Sequence, residues 1–288
     1  IERRALNLQG AHRVAAGHLC TSVMVARMKQ SATQDGRPDT EPGSAHGLSY
    51  PCGDAPEPGH GREIVPGVRW LRMHLPWALA HINLYAIDDG AGWALVDTGA
   101  QTREALAGWT RLLAAADALA GRPLTRVFCT HMHPDHVFGN VAFEADGTVF
   151  VGHHKLARGL TARAERYLAI NKDLLGPEAF EGTKIIAPSL TVEGTQTLDL
   201  GGRTLELIAR PTAHTDNDLT VTDSTTGTVF MGDLLFVEHI PTIDGSIKGW
   251  MALLDRIGQA PPVRVVPGHG PQALAWADAA TPLQRYLT

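Results

Sequence analysis

A chain of 288 residues with 44% apolar and 19% charged side chains has ample core-forming material for one α/β domain. Its formal net charge of −5, with no long basic block, argues against a phosphate-tracking surface, so nucleic acid is not an expected partner. Cys20, Cys52 and Cys129 form no CxxC pair and are odd in number, which argues against a disulfide framework and a thiolate zinc site. No apolar run reaches the roughly 18 residues needed to span a membrane, so a soluble chain is expected.

Residues 1–46 mix an Arg-containing, weakly apolar stretch with a polar Gly/Pro/Ser/Asp segment and read as a disordered tail or leader. Val14 to Ala26 is modestly apolar, but Arg27 and Lys29 follow it and no clean small-residue cleavage site appears, so the cytoplasm is the expected location and the periplasm the alternative. A native start at Met24 or Met28 is an equal reading of the same segment. Residues 47–288 are expected to form the folded domain.

From Val68 onward, short β-branched and aromatic runs alternate with Ala/Leu-rich segments. Strands are predicted at Val68–Leu75, Asn83–Ile87 and Trp93–Asp97, the last two joined by the turn Asp88-Asp89-Gly90. A helix follows over Arg103–Leu119, closed by Gly121 and Pro123. Arg126–Cys129 is a short buried strand running into Thr130-His131-Met132-His133-Pro134-Asp135-His136, where Pro134 breaks pairing and a helix begins at Asp135. A strand at Thr148–Val151 and a helical insert near Lys155–Leu175 come next. Strands recur at Gln196–Leu200, Thr204–Ala209, Leu219–Thr222 and Thr228–Met231. Helix Ile247–Ile257, strand Val263–Val266 and helix Pro271–Tyr286 end the chain, giving two β-rich halves with helices outside.

The polar cluster after Cys129 carries the chemistry. In an extended segment residues two apart face the same way, so His131 and His133 can grip one ion, while the turn after Pro134 redirects Asp135 and His136 toward a second. A lone histidine is more often a surface or capping residue. Three histidines and an aspartate within six positions, in a chain with 14 His, favour metal ligation. Imidazole and carboxylate suit Zn²⁺ or a similar borderline ion, and three protein ligands with an open position make a catalytic rather than a structural site.

The segment THMHPDH resembles the HxHxDH signature of metallo-β-lactamase-fold hydrolases. Leu95-Val96-Asp97-Thr98-Gly99 is similar to the family's buried Asp-Thr-Gly turn, and Thr212-Ala213-His214-Thr215, Gly232-Asp233 and Pro267-Gly268-His269-Gly270 match its later landmarks in order. The resemblance covers about residues 63–288. It implies a four-layer αββα sandwich with the metal site at one edge of the two sheets, and makes 47–288 a catalytic domain. Carried over by position, His131, His133 and His214 would hold the first metal, Asp135, His136 and His269 the second, and Asp233 would bridge both. The implied cofactors are two Zn²⁺ per chain, with Fe or Mn as alternatives. HPDHVFGN, TAHTDNDLTV, GDLLFVEHIPTIDGSIKGW and VVPGHGP in the back half are most similar to zinc metallohydrolases associated with quinoprotein dehydrogenases and sulfur-oxidation clusters. VPGVRWLRMHLPWALAHINLYAIDDG in the front half resembles the hydroxyacylglutathione-hydrolase-like branch.

The expected function is hydrolysis of an activated acyl bond in a small-molecule substrate (thioester, lactone, ester or β-lactam) by a metal-bridging hydroxide, with Asp135 orienting the water and shuttling a proton. Alternatives on the same fold are a phosphodiesterase, an iron-dependent redox enzyme and a non-catalytic metal-carrying accessory of quinone metabolism. GxSxG, GxxxxGK[ST] and HExxH signatures are missing. Asp216 and Asp218 read equally as supports of an imidazole or as exposed turn carboxylates. Lys248 reads equally as a substrate-carboxylate anchor or a solvated lysine. His153, His154 and His239 could line the cleft, though no spacing makes them ligands.

Overall fold

The computed structural model describes residues 44–45, 48–49, 55–77, 80–114, 118–177, 181–270 and 274–288, so the expectation for the first 46 residues lies outside it apart from Ser44–Ala45, which pair with Leu48–Ser49. Seven strands form one sheet in chain order: β1 (His60–Val65), β2 (Val68–His74), β3 (His81–Asp89), β4 (Gly92–Val96), β5 (Leu124–Cys129), β6 (Val149–His153) and β7 (Leu190–Val192). β1 to β4 are an antiparallel meander, and β4 to β7 run parallel. Helix α1 (Arg103–Leu112) makes the β4–β5 crossover. A short α2 (Pro134–Val137) continued by 3₁₀ turns to Asp146 makes the next, and α3 (Leu156–Leu175) the last. The second sheet is β8 (Thr195–Asp199), β9 (Thr204–Ala209), β10 (Leu219–Asp223), β11 (Thr228–Phe236) and β12 (Arg264–His269), antiparallel except for the final pair. α4 (Ile247–Gly258) crosses from β11 to β12, and α5 (Trp276–Leu287) follows.

Period-two alternation explains the layering. In β4, Ala94 and Val96 face the second sheet, while Trp93 and Leu95 face the helices outside the first. The inter-sheet core joins Val68, Trp70, Tyr85 and Phe128 to Leu205, Leu207, Leu219, Val221 and Phe230. α1 contributes Ala105, Trp109 and Leu112 to the first outer core at helical spacing. α4 and α5 cover the outer face of the second sheet with Trp250, Leu253, Leu254, Ala279 and Leu283. Each fully buried Leu or Phe contributes roughly 1.5–3 kcal/mol by leaving water. The result is the four-layer αββα sandwich that the motifs imply.

Two predicted helices are shorter than expected. α1 stops at Leu112 because Leu113 and Ala114 tighten the last turn, and Leu119 N–H returns to Leu112 O. The final helix starts at Trp276 rather than Pro271, because Leu274 is drawn into a β-bridge with Val265. The parallel strands direct their C-terminal ends to one edge, where Val96, Cys129 and His269 deliver the chain to the polar cluster.

Candidate metal centre

Asp97 follows β4 and takes a left-handed φ of 60°, a conformation that aspartate tolerates better than most residues. Its carboxylate accepts from Thr130 N–H at 2.7 Å, Thr130 Oγ1 at 2.7 Å and His136 Nδ1 at 2.8 Å. The Asp-Thr-Gly turn is knit to the segment beyond α2 as well. Thr98 N–H donates to His136 O, Thr98 Oγ1 donates to Asn140 Oδ1, and Gly139 N–H donates to Gly99 O. Gly139 must be glycine, since a Cβ there would lie 2.3 Å from Thr98 O. That contact sets how closely the segment carrying the candidate ligands docks on β4.

The hydrogen bonds assign tautomers. Thr130 Oγ1–H is committed to Asp97, so His131 Nδ1–H donates to Thr130 Oγ1 at 3.1 Å and His131 Nε2 is left as a lone pair. His133 Nε2–H donates to Asp244 Oδ2 at 3.3 Å, which leaves Nδ1 as a lone pair. His131 Nε2 and His214 Nε2 then meet His133 Nδ1 at 3.0 and 3.1 Å. An ion with Zn–N bonds of 2.0–2.1 Å in a tetrahedron would set nitrogens about 3.3–3.4 Å apart, so these need to open by only a few tenths of an ångström.

Asp233 sits in β11 at a register irregularity against β12, which aims its carboxylate out of the regular ladder. Oδ2 lies 3.7 Å from His131 Nε2 and 3.6 Å from His214 Nε2. Oδ1 lies 3.1 Å from His136 Nε2 and 3.5 Å from His269 Nε2. Asp135 Oδ2 completes the second cluster at 3.1 Å from His269 Nε2 and 3.6 Å from His136 Nε2. Two groups result, His131, His133, His214 and Asp233 beside Asp135, His136 and His269, with ligand atoms in each within 4.8 Å of one another.

Both groups fit divalent cations. His136 Nε2 and Asp233 Oδ1 are sealed from solvent and misaligned for a hydrogen bond despite their proximity. Burial, reinforced by His136, holds His131 well below the ordinary imidazole range, and burial takes His214 down to about 3, so both rings are neutral and each can offer a lone pair. In the second group burial is the largest influence on His269 and opposes charge, but Asp233 and Asp135 together outweigh it and raise His269 to about 9, while Asp233, Asp135 and Asp97 raise His136 well above its usual range. Burial works against Asp135 too, and the neighbouring His136 and His269 nevertheless bring it to about 2. In the metal-free protein, protons on His136 and His269 thus provide the positive charge that a cation would otherwise supply.

The structure brings the seven sequence-predicted residues into these two groups. Lys248 is exposed in the first turn of α4, on a helix whose N-terminus abuts the His214 loop through Ser246 N–H to Ala213 O. Among the described residues, Asp218 and Asp216 hydrogen-bond to no imidazole. Asp218 is buried and accepts from Thr215 N–H and Oγ1, with burial raising its pKa to about 6, while Asp216 pairs with Arg158. His153 and His154 stack on each other and bond to Arg210 O and Val192 O, and His239 lies 6.4 Å from the His269 ring with Nδ1–H on Val237 O. Sequence reasoning missed Asp244, which reaches His133 from the β11–α4 loop, and Arg163 of α3, which reaches Asp244. No local motif marks either residue.

His133 and Asp135 have the most open side chains of the seven, at 12% and 15% exposure, so the mouth lies on their side. A family model described as Metallo-beta-lactamase superfamily matches residues 78–269. No curated protein matches the chain. A solved beta-lactamase domain protein from Burkholderia ambifaria is 26% identical, over 84% of this chain and 79% of its own, with a TM-score of 0.68. A metallo-beta-lactamase from Pontibacter korlensis (19% identity, 79% and 98% coverage, TM-score 0.62) and a metallo-beta-lactamase family protein from Thermus thermophilus (22%, 78% and 80%, 0.62) share the fold. The matched span takes in the strands that position the cluster and ends on His269, and the chain belongs to the metallo-β-lactamase superfamily, whose members are generally metal-dependent hydrolases.

Proposed function

We propose that this chain is a binuclear zinc hydrolase of activated acyl bonds (a thioester, lactone, ester or β-lactam). The observation that carries the reading is the division of the Asp233 carboxylate, with Oδ2 directed at His131 and His214 and Oδ1 at His136 and His269. On this reading His131, His133 and His214 hold one cation, Asp135, His136 and His269 the other, and Asp233 bridges. Bound zinc would supply Lewis-acid activation of the carbonyl and a water acidic enough to ionise near neutral pH.

The remaining chemistry belongs to the side chains. Asp135 stays ionised at working pH and is open at the mouth, so it can orient a water and accept its proton for delivery to the leaving group. Asp97 fixes the His136 ring through Nδ1, and Thr130 fixes His131, so neither must reorganise during turnover. Lys248, free of ion pairs among the described residues, is assigned to anchor a substrate carboxylate.

Initial rates of zinc-loaded protein on a chromogenic cephalosporin, a glutathione thioester, a lactone, an aryl ester and a phosphodiester test this reading. Turnover of one acyl substrate, lowered about 10²–10⁴-fold in Asp135→Asn with little change in stability, is the expected result. Preference for the phosphodiester would move the assignment to phosphoester hydrolysis. Silence across the panel from fully loaded protein would refute the acyl-hydrolase assignment in favour of iron redox chemistry or an accessory role.

A further inference from the structure

We propose that Arg163 and Asp244 are positioning residues that make helix α3 part of the support of the first ligand group, with His133 the ligand they hold. The inference rests on the metal-binding reading above. The histidines are held unequally. His131 and His136 have their second ring nitrogens fixed by Thr130 and Asp97, two buried residues hydrogen-bonded to each other, and both rings are sealed from solvent. His133 is the most open of the five histidines, at 12%, and its second nitrogen has one partner among the described residues, Asp244.

The terminal torsion of a histidine side chain is broad and two-fold, so rotamer preference alone does not aim Nδ1 at the other two nitrogens. The Asp244 bond does. Asp244 is itself held at both ends: its backbone N–H donates to His214 O at 3.1 Å, and its Oδ1 accepts from Arg163 Nη2 at 3.1 Å. One residue therefore ties together two of the three histidines in the group.

α3 supplies the other half of the clamp. One turn before Arg163 the helix lies so close to the ligand segment that a Cβ on Gly159 would fall 2.8 Å from Met132 Sδ and 2.9 Å from Asn217 Nδ2. Met132 stands between His131 and His133 in the chain, so the helix that carries Arg163 is pressed against the segment it supports. Arg163 and Asp244 are each about a third exposed, and an ion pair so open to water adds little to global stability. Its consequence is orientation of a ligand rather than strength of the fold.

The test is a titration of metal-free protein with Zn²⁺ against a chromogenic chelator, repeated with Co²⁺ read by visible absorption. The proteins are wild type, Asp244→Ala, Asp244→Asn, Arg163→Met, Arg163→Lys and the Asp244→Ala/Arg163→Met double variant. Asp244→Ala is expected to weaken one of two sites about 10–100-fold and change the cobalt spectrum while the other site keeps its affinity. Arg163→Met should weaken the same site by less, Asp244→Asn and Arg163→Lys should recover part of the loss, and the double variant should match Asp244→Ala, because both act through one bond. Wild-type affinity in Asp244→Ala and Arg163→Met, equal weakening of both sites, or additive losses would overturn the inference. A wild-type protein that binds fewer than two zinc ions would instead sink the binuclear reading, and this inference with it.

Discussion

Gly268→Ala tests the bridging role of Asp233 without altering any ligand. A Cβ on Gly268 would lie 2.0 Å from Asp233 Oδ1, 2.9 Å from Gly232 C and 3.1 Å from Asp233 N. The backbone at Gly268 is outside the left-handed region, so alanine meets no conformational penalty and the effect is steric. An ordinary carbon–oxygen approach of roughly 3.3 Å requires the pair to part by about 1.3 Å, several times the roughly 0.2 Å tolerance of a metal–ligand bond. Oδ1 is the atom facing His136 and His269, so the second group should suffer first. Overpacking of this kind costs about 1–3 kcal/mol, and a misplacement near 1 Å costs about 10²-fold in rate. Zinc competition is therefore expected to show one site weakened about 10–100-fold, with kcat down about 10²-fold on whichever substrate the panel identifies. Gly147→Ala is the control, because φ is +74° there and nothing lies within 4 Å, so it adds backbone strain without touching the centre. Two zinc ions bound at wild-type affinity, with undiminished turnover in Gly268→Ala, would refute the placement of Asp233 between the two groups.

His214→Ala should lower bound zinc from two ions to one per chain by elemental analysis, since it removes a neutral nitrogen from the first group and leaves the second intact. The metal-free protein should lose stability as pH rises from about 6.5 to about 9, because His269 is raised to about 9 in the folded state and its contribution is complete only below the unfolded value. Urea unfolding across that window should fall by on the order of 2–3 kcal/mol in the chelated protein and stay level in the zinc-loaded protein, where metal replaces the proton. Lys248→Ala should raise KM for anionic substrates about tenfold and spare neutral analogues; an equal effect on both would remove Lys248 from the substrate site.

The sequence made the candidate centre legible because its proposed ligands obey local rules. His131 and His133 are two apart on an extended segment, Pro134 turns the chain, and Asp135 and His136 open a helix, so short-range geometry already implies two groups. Layering was legible for the same reason, since β4 alternates Trp93 and Leu95 against Ala94 and Val96. What escaped lacks such a signal. β1 (His60–Val65) is an edge strand of partly exposed residues with no alternating apolar pattern, and β7 (Leu190–Val192) has only three residues. Asp244 meets His133 across 111 positions and Arg163 across 81, distances over which composition and periodicity are silent. Asp218, which read equally as an imidazole support or an exposed turn carboxylate, is neither: four residues from His214, it is buried with its carboxylate spent on the backbone and hydroxyl of Thr215.

The same division explains why ligand identity can be read when substrate cannot. Ligands are constrained by the chemistry of an ion, which recurs wherever the ion is bound, whereas substrate contacts depend on how loops fold over it. Here one loop leaves the centre at Val237, whose N–H donates to His269 O, and returns at Asp244, whose N–H donates to His214 O. It thus spans from the second ligand group to the first. Its middle carries Ile240 and Ile243 at 63% and 42% exposure, apolar surface held at the rim of a polar centre by two backbone hydrogen bonds. Those bonds fix the ends of the loop to the histidines whatever its side chains are.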